Sequence, residues 1–152
     1  MSAMDQVLNF AAEFEETYID DNWERLLPFL AENAKYTVVG GPMACEIEGR
    51  SAILAGLKKS LDGLDRRFTE RRIAVTSSPE ILPVEGGEKV MLNWEASYEL
   101  AGLDCPVLPG SSVITVVDGL ITHLQDAYDD VEVEPFAKWL GEHSADFDGS
   151  YV

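Results

Sequence analysis

The chain is poor in cysteine, in positive charge and in long apolar runs, and each shortage closes off a class of function. Cys45 and Cys105 are its only cysteines; they lie far apart, in no CxxC or Cys/His spacing. Two reduced thiols are therefore expected rather than a disulfide framework or a zinc site. The only histidines, His123 and His143, fall in a strand-like and a tail segment and make no ligand set, so no metal is expected. Eleven basic residues stand against 28 acidic ones, a formal charge of −17 that repels phosphate backbones and anionic headgroups. Nucleic acid is not expected as a partner, and a neutral or cationic small ligand is easier to reconcile with the charge. No run of 18 apolar residues is present, and the first residues lack the basic and apolar regions of a secretory leader. The expectation is a cytoplasmic protein that neither spans nor binds a membrane.

What the chain does have is the material for one core. Its 152 residues, 46% of them hydrophobic, suit a single domain over residues 1–142, with residues 143–152 as a loose tail. Val7, Phe10, Ala11, Phe14 and Tyr18 fall at helical spacing, behind a Ser2/Asp5 start that resembles a capping box. Asn22 opens a second, short helix through Leu30, distorted by Pro28. Residues 35–39 and 45–48 read as a hairpin around Gly40-Gly41-Pro42. Ile53, Leu54, Leu57, Leu61 and Leu64 form the buried stripe of a third helix. Residues 67–77, 89–100, 111–117 and 120–129 follow as long strands, the last two joined by Asp118-Gly119, a dipeptide that tolerates positive φ. A last helix starts at Pro135 and presents Phe136, Trp139 and Leu140.

On the final strand, Asp126 shares a face with Thr122, Leu124 and Tyr128, and a carboxylate among apolar groups needs a partner or a purpose. A structural hydrogen bond is the competing explanation. Glu95 is ambiguous. Val90, Leu92, Trp94, Ala96, Tyr98 and Leu100 form one face of its strand, and Met91, Asn93, Glu95, Ser97 and Glu99 the other, so periodicity alone leaves Glu95 in water.

Helices and a hairpin followed by long antiparallel strands, with "EGRSAI" opening the third helix and "GLITHLQDAYD" on the last strand, resemble the nuclear transport factor 2-like superfamily. Ketosteroid isomerases, SnoaL-like polyketide cyclases and limonene epoxide hydrolases belong to it. The resemblance implies an α+β, cone-shaped fold, with three N-terminal helices packed against a curved, mostly antiparallel sheet and a short C-terminal helix. In the epoxide hydrolase branch an Asp-Arg-Asp triad activates a water, helped by a Tyr and an Asn. By motif position the closing Asp falls on Asp126, the base on Glu95 and the Tyr on Tyr36, whereas the Arg falls on Asn93 and the Asn on Val38.

The resemblance thus implies a catalytic set of Asp126, Glu95 and Tyr36 in one chamber, with Asn93, Tyr18, Trp23, Leu124, Tyr128 and Val38 contacting substrate. Two carboxyls brought together in an apolar site share a proton, which suits isomerisation, hydration, dehydration or epoxide opening of a small apolar oxygenated molecule. No cofactor is implied. If the polar face of the Glu95 strand lines the chamber, then Trp94 and Tyr98 point outward and call for a homodimer through the outer sheet face. The alternative is a non-catalytic binding or assembly module of the same fold.

Overall fold

In the computed structural model, residues 1–143 and Phe147 are described, and they form three helices against a curved sheet of seven strands. Helix α1 (Ala3–Asp20) begins at a complete capping box: the Ser2 side chain accepts from the Asp5 amide, and the Asp5 carboxylate accepts from the Ser2 amide at 2.9 Å. Its buried residues Ala3, Val7, Phe10 and Thr17 follow the helical period. The expected second helix is a 3₁₀ helix, Trp23–Phe29, because Pro28 cannot donate to an α-helical ladder. Strand β1 (Leu30–Val39) therefore starts earlier than the hairpin pattern suggested.

Strand β2 (Cys45–Glu48) pairs antiparallel with β1, and α2 (Arg50–Gly63) buries Ile53, Leu54, Leu57 and Leu61. After a 3₁₀ turn at Asp65–Arg67 come β3 (Glu70–Val75), β4 (Glu80–Val84), β5 (Gly87–Glu99), β6 (Leu108–Val117) and β7 (Leu120–Ala127). The sheet runs β2-β1-β7-β6-β5-β3, with β4 pairing on β5 beyond the end of β3. All pairings are antiparallel except β1 with β7, which the sequential meander did not foretell. Strand β4, with Pro83 in an exposed apolar stretch, also escaped the sequence pattern. The β6–β7 turn has Asp118 at φ 51° and Gly119 at φ 77°, the double positive φ a two-residue hairpin needs.

Helix α3 spans Asp130–Glu142 and starts a full turn before Pro135. Asp129 caps it, its carboxylate accepting from the Val131 and Glu132 amides at 2.9 and 3.1 Å. The helix seats a fully buried Phe136 beside Tyr98, and Trp139 beside Phe68. Of the tail expected over residues 143–152, all but His143 and Phe147 lie outside the described residues; Phe147 is buried and stacks on Phe68 with centroids 4.8 Å apart. No helix among the described residues is long and apolar enough to cross a membrane. Cys45 and Cys105 are free thiols.

Candidate active site

The concave side of the sheet and the two long helices enclose a cavity of about 300 Å³. Alternation along each strand decides what enters it. Leu92, Trp94, Ala96 and Tyr98 of β5 line the cavity, as do Ser112 and Ile114 of β6, Leu124 and Asp126 of β7, and Tyr36 of β1; Phe10 and Phe14 of α1 and Leu57 and Leu61 of α2 close it. A bulge next to Thr115 and Val116 shifts the phase of β7, so that Ile121 is buried together with Leu124 and Thr122 is displaced from the face it was expected to share with Asp126.

Asp126 is the centre of the polar end. Tyr36 donates its hydroxyl to Asp126 Oδ2 at 2.7 Å, and Ser112 donates to Oδ1 at 2.6 Å. The Trp94 indole N–H donates to the Ser112 oxygen at 2.8 Å, completing a relay across four strands. Register explains the meeting: Ser112 is paired with Asp126 across β6–β7, and Tyr36 lies diagonally across the parallel β1–β7 contact, where Val38 is the direct partner. Gly110 makes room for the indole. A Cβ there would sit 2.6 Å from Trp94 Cζ2 and 2.7 Å from Cη2, so any side chain would push the ring off Ser112.

Asp126 is half-buried and lines the cavity. Burial pushes its carboxyl above the usual carboxylate range, and the hydrogen bonds from Ser112 and Tyr36 pull it partly back. No cationic side chain takes part in this arrangement. The result is a carboxyl facing the cavity, held by neutral donors and with a raised affinity for its proton.

A second polar group lies along the same cavity. Arg71, in register with Tyr98 on β5, has a nearly buried guanidinium that donates Nε–H to Asp65 Oδ2 at 2.6 Å and Nη1–H to both oxygens of Glu15 at 3.1 Å. Its Cζ stands 4.9 Å from the centre of the Tyr18 ring and 6.0 Å from that of Phe14. Burial alone would lower the Arg71 pKa, but the charges of Asp65 and Glu15 outweigh it and raise it; burial lifts the Asp65 carboxyl while Arg71 draws it back. Asp65 and Arg71 lie in a turn and an edge strand that carry no recognisable motif.

Several expected residues stand elsewhere. Glu95 and Asn93 are exposed on the opposite face of β5, beside Ser111, Pro109 and Asp129, and Asn93 donates to the Ser77 hydroxyl at 3.0 Å. The Glu95–Asp126 pair does not form. Periodicity was the sound guide here: the apolar face of β5 turns toward the cavity, and inverting it would have exposed Trp94 and Tyr98. With both rings inside, the outer-face argument for a homodimer falls away. Val38 is buried beside Asp126 in register but does not line the cavity. Trp23 packs edge-on against Phe14 and donates its N–H to Asp21, and Tyr18 supports Arg71; neither lines the cavity. Leu124, Tyr128 and Tyr36 do line it. Ser112, Trp94, Asp65 and Arg71 were not anticipated as site residues. A small hydroxyl residue in register with the buried Asp was the available signal for Ser112.

Comparison with known proteins gives the same architecture. No curated protein matches the sequence significantly. Among solved structures, TerC co-crystallised with polyporic acid has a TM-score of 0.61 at 16% identity, covering 89% of this chain and 97% of that one. A nuclear transport factor 2-like protein from Burkholderia xenovorans LB400 has a TM-score of 0.57 at 18% identity, covering 88% and 96%. A candidate polyketide cyclase from Pseudomonas putida KT2440 has a TM-score of 0.54 at 14% identity, covering 87% and 95%. These likenesses concern the fold. The sequence itself matches the SnoaL-like domain over residues 11–124, three quarters of its length, and the chain belongs to the SnoaL-like domain family.

Proposed function

We propose that the cavity is an active site in which Asp126 moves a proton on a small, largely apolar, enolisable molecule. The observation that carries this reading is the half-buried carboxyl of Asp126 in the cavity lining, held by neutral donors and raised by desolvation. As a carboxylate it takes a proton from an acidic carbon or hydroxyl; as the acid it then returns that proton to another atom of the same molecule. Tyr36 and Ser112 hold its two oxygens and fix its direction, and Trp94 fixes Ser112. A single proton carrier suits isomerisation or ring closure through an enolate better than water addition, which calls for a separate acid and base. The epoxide-opening set is unsupported, since Asn93 and Glu95 face away.

The apolar walls from Phe10, Phe14, Leu57, Leu92 and Ile114 suit a ring or hydrocarbon body. The fold likeness to TerC, crystallised with polyporic acid, is consistent with a small organic ligand in such a chamber. Binding without turnover is the second reading, favoured by the separation of Glu95 from Asp126.

The test is proton exchange at carbon, which needs no knowledge of the natural product. Wild type should accelerate exchange of the α-protons of 2-tetralone in D₂O, followed by proton NMR, and Asp126→Asn should lose roughly 10² to 10⁴-fold of that acceleration. Equal exchange by both proteins would remove Asp126 from the chemistry. Binding of tetralone with no acceleration would support the second reading.

A further inference from the structure

The far end of the cavity holds a cation that is not free to attract an anion. Arg71 sits between Asp65 and Glu15, so the trio carries a net negative charge, inside a chain of formal charge −17. Its Nε and Nη1 are engaged by those carboxylates, whereas Nη2 has no hydrogen-bond acceptor among the described residues, and Arg71 lines the cavity. No buried side-chain nitrogen or oxygen among the described residues is left without a partner, which places that nitrogen where it retains access. The guanidinium plane is held by Tyr18 and Phe14 on α1.

Register gives the distance between the two polar ends. Asp126 pairs with Ser112, and Ser112 with Leu92; Arg71 pairs with Tyr98. Leu92 and Tyr98 are six residues apart, roughly 20 Å of strand, which the reach of the side chains from either end shortens. The wall between them is apolar: Trp94, Ala96 and Ile73.

We infer that Arg71 is a specificity-determining residue that receives an uncharged oxygen, a carbonyl or ether, at the far end of an elongated, apolar ligand whose other end meets Asp126. This rests on the proposed active site and adds the substrate class to it. A carbonyl oxygen accepts from Nη2 without disturbing the ion pairs. A carboxylate in the same place adds a second uncompensated negative charge beside Glu15 and Asp65 and is disfavoured. Glu15, half-exposed on α1, thereby acts as a filter against acids.

Three probes and two variants of the full chain decide it, by fluorescence titration: para-hydroxy-para′-acetylbiphenyl, the matching para′-carboxylate, and para-hydroxybiphenyl, which lacks the second oxygen. The ketone should bind wild type about tenfold or more tighter than the carboxylate, the scale of one hydrogen bond to a charged group. Arg71→Lys, which keeps the charge facing Asp65 but loses the planar fork, should weaken the ketone about tenfold and leave para-hydroxybiphenyl unchanged. Glu15→Gln, at an exposed position that does not threaten folding, should improve the carboxylate severalfold relative to the ketone. Tighter binding of the carboxylate than the ketone by wild type, or no selective loss in Arg71→Lys, would overturn the inference. So would a carboxylate affinity unmoved relative to the ketone by Glu15→Gln. These affinities are independent of tetralone exchange, so loss of the proton-transfer reading and loss of the Arg71 assignment are separately visible.

Discussion

Asp65, buried, and Asp126, half-buried, are carboxyls on the wall of one cavity, and both are pushed upward by desolvation, yet their neighbours assign them different tasks. Asp65 is held 2.6 Å from a guanidinium that never loses its charge, which draws its raised carboxyl back toward the ionised form. Asp126 has only the hydroxyls of Tyr36 and Ser112, which stabilise the charge in part and leave the proton exchangeable. The lesson is that burial raises a carboxyl, but the charge type of its partner decides whether the group is structural or reactive.

The sharpest way to break this contrast is to remove each carboxyl in turn. Asp65→Ala should leave Arg71, at a side-chain exposure of only 6%, with Glu15 as its remaining carboxylate partner and cost about 1 to 3 kcal/mol of unfolding free energy, read by urea denaturation. Asp126→Asn should cost nothing comparable, although it abolishes exchange. A similar loss in both variants would mean that Asp126 is structural after all.

A pH series sharpens the comparison next. Above the ordinary carboxylate range the unfolded chain has released the Asp126 proton while the folded chain still holds it, so stability falls as pH rises from about 4 through the raised folded value. Asp126→Asn removes that part of the slope, and its stability relative to wild type should grow with pH across the same window. A difference independent of pH would show that the carboxyl titrates normally. Tyr36→Phe should raise the Asp126 carboxyl further, moving the acid limb of the exchange profile to higher pH, with about 1.5 to 3 kcal/mol lost from stabilisation of the charged form.

The smallest effect is expected at Gly110. Ala at this position would collide with the Trp94 ring, release the indole N–H from Ser112 and cost about 1 kcal/mol in the relay, read as a several-fold slower exchange. Trp94→Phe should reproduce the loss without the collision. If Gly110→Ala slows exchange and Trp94→Phe does not, the indole hydrogen bond is irrelevant and crowding alone is responsible.

Much of the architecture was legible. The α1 stripe, its Ser2/Asp5 cap, the α2 leucines and the Asp118-Gly119 hairpin are local signals, satisfied within a few residues of chain. Pro135 misled because a helix can begin before a proline when a capping residue such as Asp129 is available upstream. The site divides along the same line. Asp126 stood out because a charge among apolar residues is conspicuous, whereas Arg71 and Asp65 lay in segments without period or motif.

By itself the sequence determined the helices, most of the strands and the alternating faces of β5, because these follow from side-chain spacing and backbone preference. Tertiary structure alone decided that Asp126 meets Tyr36, Ser112 and Trp94 rather than Glu95, and that Asp65 meets Arg71. Those meetings depend on register across β1, β5, β6 and β7 and on a gap left by Gly110. Contacts between strands far apart in the chain are set by how the whole sheet closes, and no local pattern of residues carries that information.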